Sequence, residues 1–167
     1  MKNKAFRLLT MLLLAAALAT IGAAPGIQNP LVTQFSGTET FGPVVNPGTM
    51  VLHDDGRLMI RGLVQMAHDE TTDGRVTGEV TIEINANFDA ATFSGPMWGT
   101  GHVVNAGGEW ILTWVGRRTP EGHSTIQAVG RCVGGYAVLQ ARWNYSRSNP
   151  DPNAPMAITG FILEPGR

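Results

Sequence analysis

The chain has 167 residues, 43% of them hydrophobic and 15% charged, with a formal net charge of −1. Its only lysines, Lys2 and Lys4, lie with Arg7 near the N-terminus, so beyond residue 24 nine arginines face thirteen acids and no lysine. That balance argues against nucleic acid or an anionic membrane surface as a partner, and it rules out Schiff-base, P-loop and Ser-Lys chemistry, which need a lysine.

The first element reads as a leader. A basic head (Lys2, Lys4, Arg7) precedes an apolar run from Leu8 to Leu18 broken only by Thr10. The small residues Gly22, Ala23 and Ala24 follow, then Pro25, Gly26 and Pro30. This is the pattern of a removable signal peptide over residues 1–24. Its apolar stretch is shorter than the ~20 residues of a spanning helix, though a retained anchor is the alternative. Residues 25–30 read as a linker and 31–167 as a single secreted or extracytoplasmic domain, without stable membrane insertion once the leader is cleaved. Cys132 is the sole cysteine, so no internal disulfide can form even in an oxidising compartment.

Strand signals fill the rest. Leu31 to Phe41 alternates loosely, and Thr49 to His53 runs into an Asp54-Asp55-Gly56 turn. Arg57 to His68 sets Leu58, Ile60, Val64 and Met66 against Arg57, Arg61 and Gln65. Arg75 to Phe88 gives the clearest period of two, with Val76, Gly78, Val80, Ile82, Ile84, Ala86 and Phe88 on one side. A hairpin through Asp73-Gly74, pairing Asp69 with Arg75, would bring Arg61 opposite Glu83. Further strands span Met97–Val104, Glu109–Arg118, His123–Cys132, Tyr136–Ser146 and Ala157–Leu163. Strands of about ten residues, linked to their neighbours in sequence, favour a single antiparallel up-and-down β-barrel of about eight strands, with a β-sandwich as the alternative. Interior glycines such as Gly62 and Gly130 suit the bends of a closed sheet.

The second half carries Trp98-Gly99-Thr100-Gly101, Gly107-Gly108-Glu109-Trp110, Trp114-Val115-Gly116, Ala128-Val129-Gly130 and Gly134-Gly135-Tyr136. Over roughly Phe35 to Leu163 these steps resemble the exported bacterial branch of the allene oxide cyclase and dirigent barrel superfamily. The resemblance implies an eight-stranded barrel around a mostly apolar cavity. In that superfamily's enzymes the cavity cyclises or orients lipid-like or polyketide-like substrates. The plant enzymes' active-site motifs are absent, so no catalytic residue carries over.

Alternation leaves a few polar groups on apolar faces. Glu39 shares a face with Phe35 and Phe41, His68 ends the Leu58 series, and His102 shares a face with Trp98. Cys132 follows Ile126 and Ala128, and Tyr145 follows Leu139 and Trp143. A carboxylate inside an oily barrel has a raised pKa and can act as acid or base, which makes Glu39 the catalytic candidate. Near a strand end it could instead reach water. Trp98, His102, Trp110, Trp114, Trp143 and Tyr145 are candidate ligand-binding residues, although tryptophans equally suit filling a small barrel. No metal or other cofactor is implied: the four histidines lack ligand spacing, and Asn85 to Asp89 lacks the glycine and glutamate of a calcium loop.

Two functions follow. One is an exported barrel that binds a small apolar ligand or serves as a structural or surface module. The other is an isomerase or cyclase that uses Glu39 on a lipid-like or polyketide-like substrate. A pocket of at least ~300 Å³ with an inward polar group favours the enzyme, and a filled barrel the structural module.

Overall fold

The computed structural model describes residues 29–166; the leader expected over 1–24 lies outside them. Nine strands follow one another: β1 (Leu31–Asn46), β2 (Thr49–Leu52), β3 (Arg57–Thr71), β4 (Gly78–Asp89), β5 (Gly95–Asn105), β6 (Gly108–Arg118), β7 (Ser124–Val133), β8 (Gln140–Arg147) and β9 (Met156–Glu164). From β3 to β9 each strand pairs antiparallel with the next. The first half of β1 then pairs with β9, and its second half pairs with β3. Eight strands thereby close into an antiparallel barrel, and β2 continues along β3 where β1 leaves off. The β-sandwich is set aside.

The two-residue rhythm of β4 does what it should. Val76, Val80, Ala86 and Phe88 are buried, while Glu79 and Glu83 face water. In β3 the rhythm breaks. A bulge between Ile60 and Leu63 leaves Gly62 at φ 65°, a left-handed conformation that glycine adopts without a Cβ penalty. One extra residue flips every side chain after it. Leu63, Gln65, Ala67 and Asp69 therefore point inward, and Val64, Met66 and His68 point out, contrary to the alternation expected from Leu58. His68 meets Glu79 on the outer surface, Nδ1 to Oε1 at 2.8 Å.

The β3–β4 register differs too. Asp69 pairs with Gly78 and Val64 with Glu83, so Arg61 does not oppose Glu83. The connection is not a tight Asp-Gly turn. Thr71 Oγ1 donates to the Asp73 carbonyl at 2.8 Å, and the Asp73 carboxylate accepts the Arg75 backbone N–H at 3.0 Å, which holds a wider loop. Arg61, turned away by the bulge, stacks over Trp98 at 4.9 Å and donates to the Ala86 carbonyl.

One end of the barrel is stoppered. Trp110 and Trp143 are fully buried and meet edge to face, centroids 5.5 Å apart, with Phe35 against Trp143 at 5.9 Å. The Trp110 indole donates to the Arg75 carbonyl at 2.7 Å. Gly160 leaves the room that the Phe35 ring occupies; a Cβ there would collide with it. Arg75 closes this end by bridging Asp73 and Glu164 at 2.7 and 2.6 Å. These aromatics pack as barrel filling, which leaves any open space at the other end.

Candidate functional site

At the other end the interior is open. A cavity of about 290 Å³ lies between the stopper and the rim, walled by Leu63, Ile82, Ile84, Met97, Leu112, Trp114 and Ile126 among others. Met50, Phe93 and Pro152 form part of its wall, and Met50 and Phe93 are exposed as well, so the space reaches solvent between β2, the β4–β5 turn and the β8–β9 loop. Apolar walls with few polar groups are typical of small-molecule sites.

The polar groups are not scattered. Asp69 pairs with Glu39, and Glu39 with Met156. On the far side Arg147 pairs with Ser124, and Ser124 with Arg118. Met156 lies one residue beyond the Ser146–Ala157 pair, which sets it beside Arg147. Directly paired residues share a face, so one ladder row around the inside of the barrel carries two acids, a methionine, and two arginines flanking a serine.

Glu39 and Asp69 are buried to 4% and 0% exposure. Tyr145 donates its hydroxyl to Asp69 Oδ2 at 3.1 Å, Asp69 Oδ1 is buried without a partner, and Glu39 is the ladder neighbour of Asp69. Burial drives the Glu39 pKa well above the carboxylate range, and the neighbouring Asp69 charge adds to the rise. Burial also lifts Asp69, to about 7, against the Tyr145 hydrogen bond that favours its charged form. Two carboxyls this close in a low-dielectric interior share protons, because ionising both is costly. Glu39 lines the cavity, and Asp69 behind it accepts from Tyr145.

The arginines sit at the rim. Arg147 is only 8% exposed, donates from Nη1 to the Pro152 carbonyl at 2.6 Å, and lies over the Phe41 ring at 5.8 Å. Arg118 Nη2 donates to the Pro150 carbonyl at 3.1 Å. Both line the cavity.

Of the residues singled out from sequence, Glu39, Trp114 and Tyr145 meet at this cavity, and Phe41 lines it beside Glu39 as expected. Trp110 and Trp143 do not; they belong to the stopper. Trp98 and His102 stand on the outer face, where His102 Nε2 meets Glu109 Oε2 at 2.9 Å. Placing Trp98 and His102 on an inward face exchanges the two faces of β5, whose inward residues are Met97, Gly99, Gly101 and Val103. Cys132 is a free thiol packed partly against the core. Sequence reasoning missed Asp69, Arg118 and Arg147. Arg118 ends the inward series Trp110-Leu112-Trp114 and Arg147 the series Trp143-Tyr145, and a charge at the end of such a series is the available signal. Asp69 had none, since the Gly62 bulge hides its face.

No family model, no curated protein and no solved structure matches the chain.

Proposed function

We propose that the protein is an exported binding cup that takes up a small, largely apolar molecule through the open end of its barrel. The carrying observation is the cavity of about 290 Å³ above the Trp110–Trp143 stopper. Desolvating an apolar molecule there gains roughly 25 cal/mol per Å² removed from water. The outer face of β8, with Arg142, Asn144 and Ser146, is polar and exposed, and that of β7 mixes Thr125, Gln127 and Arg131 with Val129 and Val133. Export belongs to this reading on the strength of residues 1–24, and kinship with the allene oxide cyclase and dirigent barrels on the glycine and tryptophan steps alone.

Native mass spectrometry of the protein recovered from the secreting cell should reveal a co-purified small molecule. An Ile84→Trp variant, which fills the cavity, should lose it while melting at a temperature close to the parent's. A folded parent that carries nothing and binds no ten-carbon probe would refute the cup.

A second reading is favoured by one observation: the buried Glu39, its pKa raised by burial, faces the cavity and is backed by Asp69 and Tyr145. A neutral carboxyl poised over an apolar ligand can donate a proton and recover it, which is the requirement of an isomerase or cyclase. Incubating the recovered molecule with the protein should then yield an isomer of the same mass, and Glu39→Gln should not. Unchanged ligand in both leaves binding alone.

A further inference from the structure

Two arginines with unused donors flank a serine at the rim of an oily cavity. Arg118 and Arg147 are each the ladder partner of Ser124, one on either side, and all three line the cavity. Paired residues on adjacent strands have Cβ atoms about 4.5–5.5 Å apart, so the arginines stand two strands apart, one on each side of the serine, near enough for the Arg118 charge to act on Arg147. Each arginine spends an Nη on a carbonyl of the β8–β9 loop. The Nε of each is buried and donates to nothing.

Anchoring the loop explains the Nη bonds and leaves the Nε groups unexplained. A buried donor without a partner is costly, and the like charge of Arg118 acts on the buried Arg147. Among the described residues neither arginine forms an ion pair; Asp151 and Glu39 act on Arg147 from longer range, and Arg118 opposes its charge. What the arrangement lacks is an anion.

We infer, building on the cup reading, that the ligand is an amphipathic organic anion whose carboxylate lies between Arg118 and Arg147 over Ser124, with its hydrocarbon chain in the cavity. A guanidinium offers Nε–H and Nη–H as a planar fork matched to two carboxylate oxygens, and Ser124 supplies a third donor between the forks. The chain's length follows from the space. A volume of about 290 Å³ holds roughly ten water-sized groups at ~30 Å³ each, so a medium-chain acid fits and a long-chain acid must leave its end in solvent.

The probes are decanoate, decanol and decyltrimethylammonium, titrated calorimetrically into the purified protein at neutral pH. Decanoate should bind at least about tenfold tighter than decanol, the margin expected of charge-assisted hydrogen bonds. In Arg118→Met and Arg147→Met that ratio should collapse to within about threefold. Should either variant fail to fold, the side-chain Nε–H resonances of Arg118 and Arg147 in the parent provide the second reading: decanoate should shift both, and decanol neither. Equal binding of decanoate and decanol, or unmoved resonances, overturns the carboxylate clamp and leaves the cup intact. Preference for decyltrimethylammonium overturns the clamp and points to the acid pair. Binding of none of the three overturns both readings.

Discussion

The Tyr145 hydroxyl donates to Asp69 Oδ2 at 3.1 Å across the interior of the barrel, joining β8 to β3. The two residues are 76 apart in the chain and share no sheet edge. Their meeting depends on the one-residue bulge at Gly62, which turns Asp69 inward, and on the closure that sets β1 between β3 and β9. With Glu39 beside Asp69 on the ladder, two acids lie inside a mostly apolar wall.

Stability should therefore fall as pH rises through neutrality. Both carboxyls hold protons more tightly when folded, Asp69 up to about 7. Their contribution is complete below the unfolded carboxyl pKa near 4 and is lost as the pH climbs toward the folded values. Asp73 and Asp55, whose carboxyls are lowered by Arg75 and Arg57, act below about pH 4 and leave the window from 5 to 8 clear. Urea melts should show a decline of up to about 2.7 kcal/mol per pH unit below about pH 7, about 1.4 from each carboxyl. Asp69→Asn should remove its share and leave that of Glu39, which burial by itself raises. A level profile in the parent contradicts the shared proton.

Gly62 should resist substitution. At φ 65° a β-branched side chain is strained, and Gly62→Val should cost about 1–3 kcal/mol in chemical denaturation. Deleting the residue is the sharper test. It would restore uninterrupted alternation and send either Asp69 or the Leu58–Ile60 end to the wrong face, so no cooperative unfolding transition is expected. A deletion variant as stable as the parent would show that the bulge does not set the faces of β3.

The stopper should carry much of the barrel's stability. Trp110→Ala removes a fully buried ring that packs on Trp143 and hydrogen-bonds the Arg75 carbonyl, and should cost about 3–5 kcal/mol. Trp98→Ala, on the outer face under Arg61, should cost about 1 kcal/mol or less. Similar losses for the two would contradict the division between stopper and surface.

Arg75 ties the closed end through two carboxylates, and the pair is about one-third exposed at most. Replacing it by Met should cost about 1–3 kcal/mol, a loss that high salt reduces in the parent only in part. A neutral outcome would mean that the Asp73 and Glu164 contacts are ordinary surface pairs.

The barrel was legible because β4 and β6 to β9 alternate without interruption, and because consecutive strands pair with their sequence neighbours. Glu39 was legible for the same reason: Phe35 and Phe41 bracket it on an unbroken strand. The rest was hidden where a local event overrides the period. The bulge at Gly62 carries no composition signal beyond a glycine, yet it decides whether His68 or Asp69 is inside. In β5, glycines at 99 and 101 blank the inward face, so the large outward Trp98 was taken for core. Arg118 and Arg147 look like strand-terminal surface charges until the ladder shows that both flank Ser124.

β1 belongs to two neighbours: its first half to β9 and its second half to β3. The β3-to-β8 meander can grow by local hairpins, but the cylinder cannot shut until Leu31 finds Glu164 from the opposite extreme of the described chain. Ring closure is thus the slow, high-contact-order step of folding. Until then the edges of β3 and β9 stay unpaired, and the partly assembled chain is most vulnerable to joining another copy of itself.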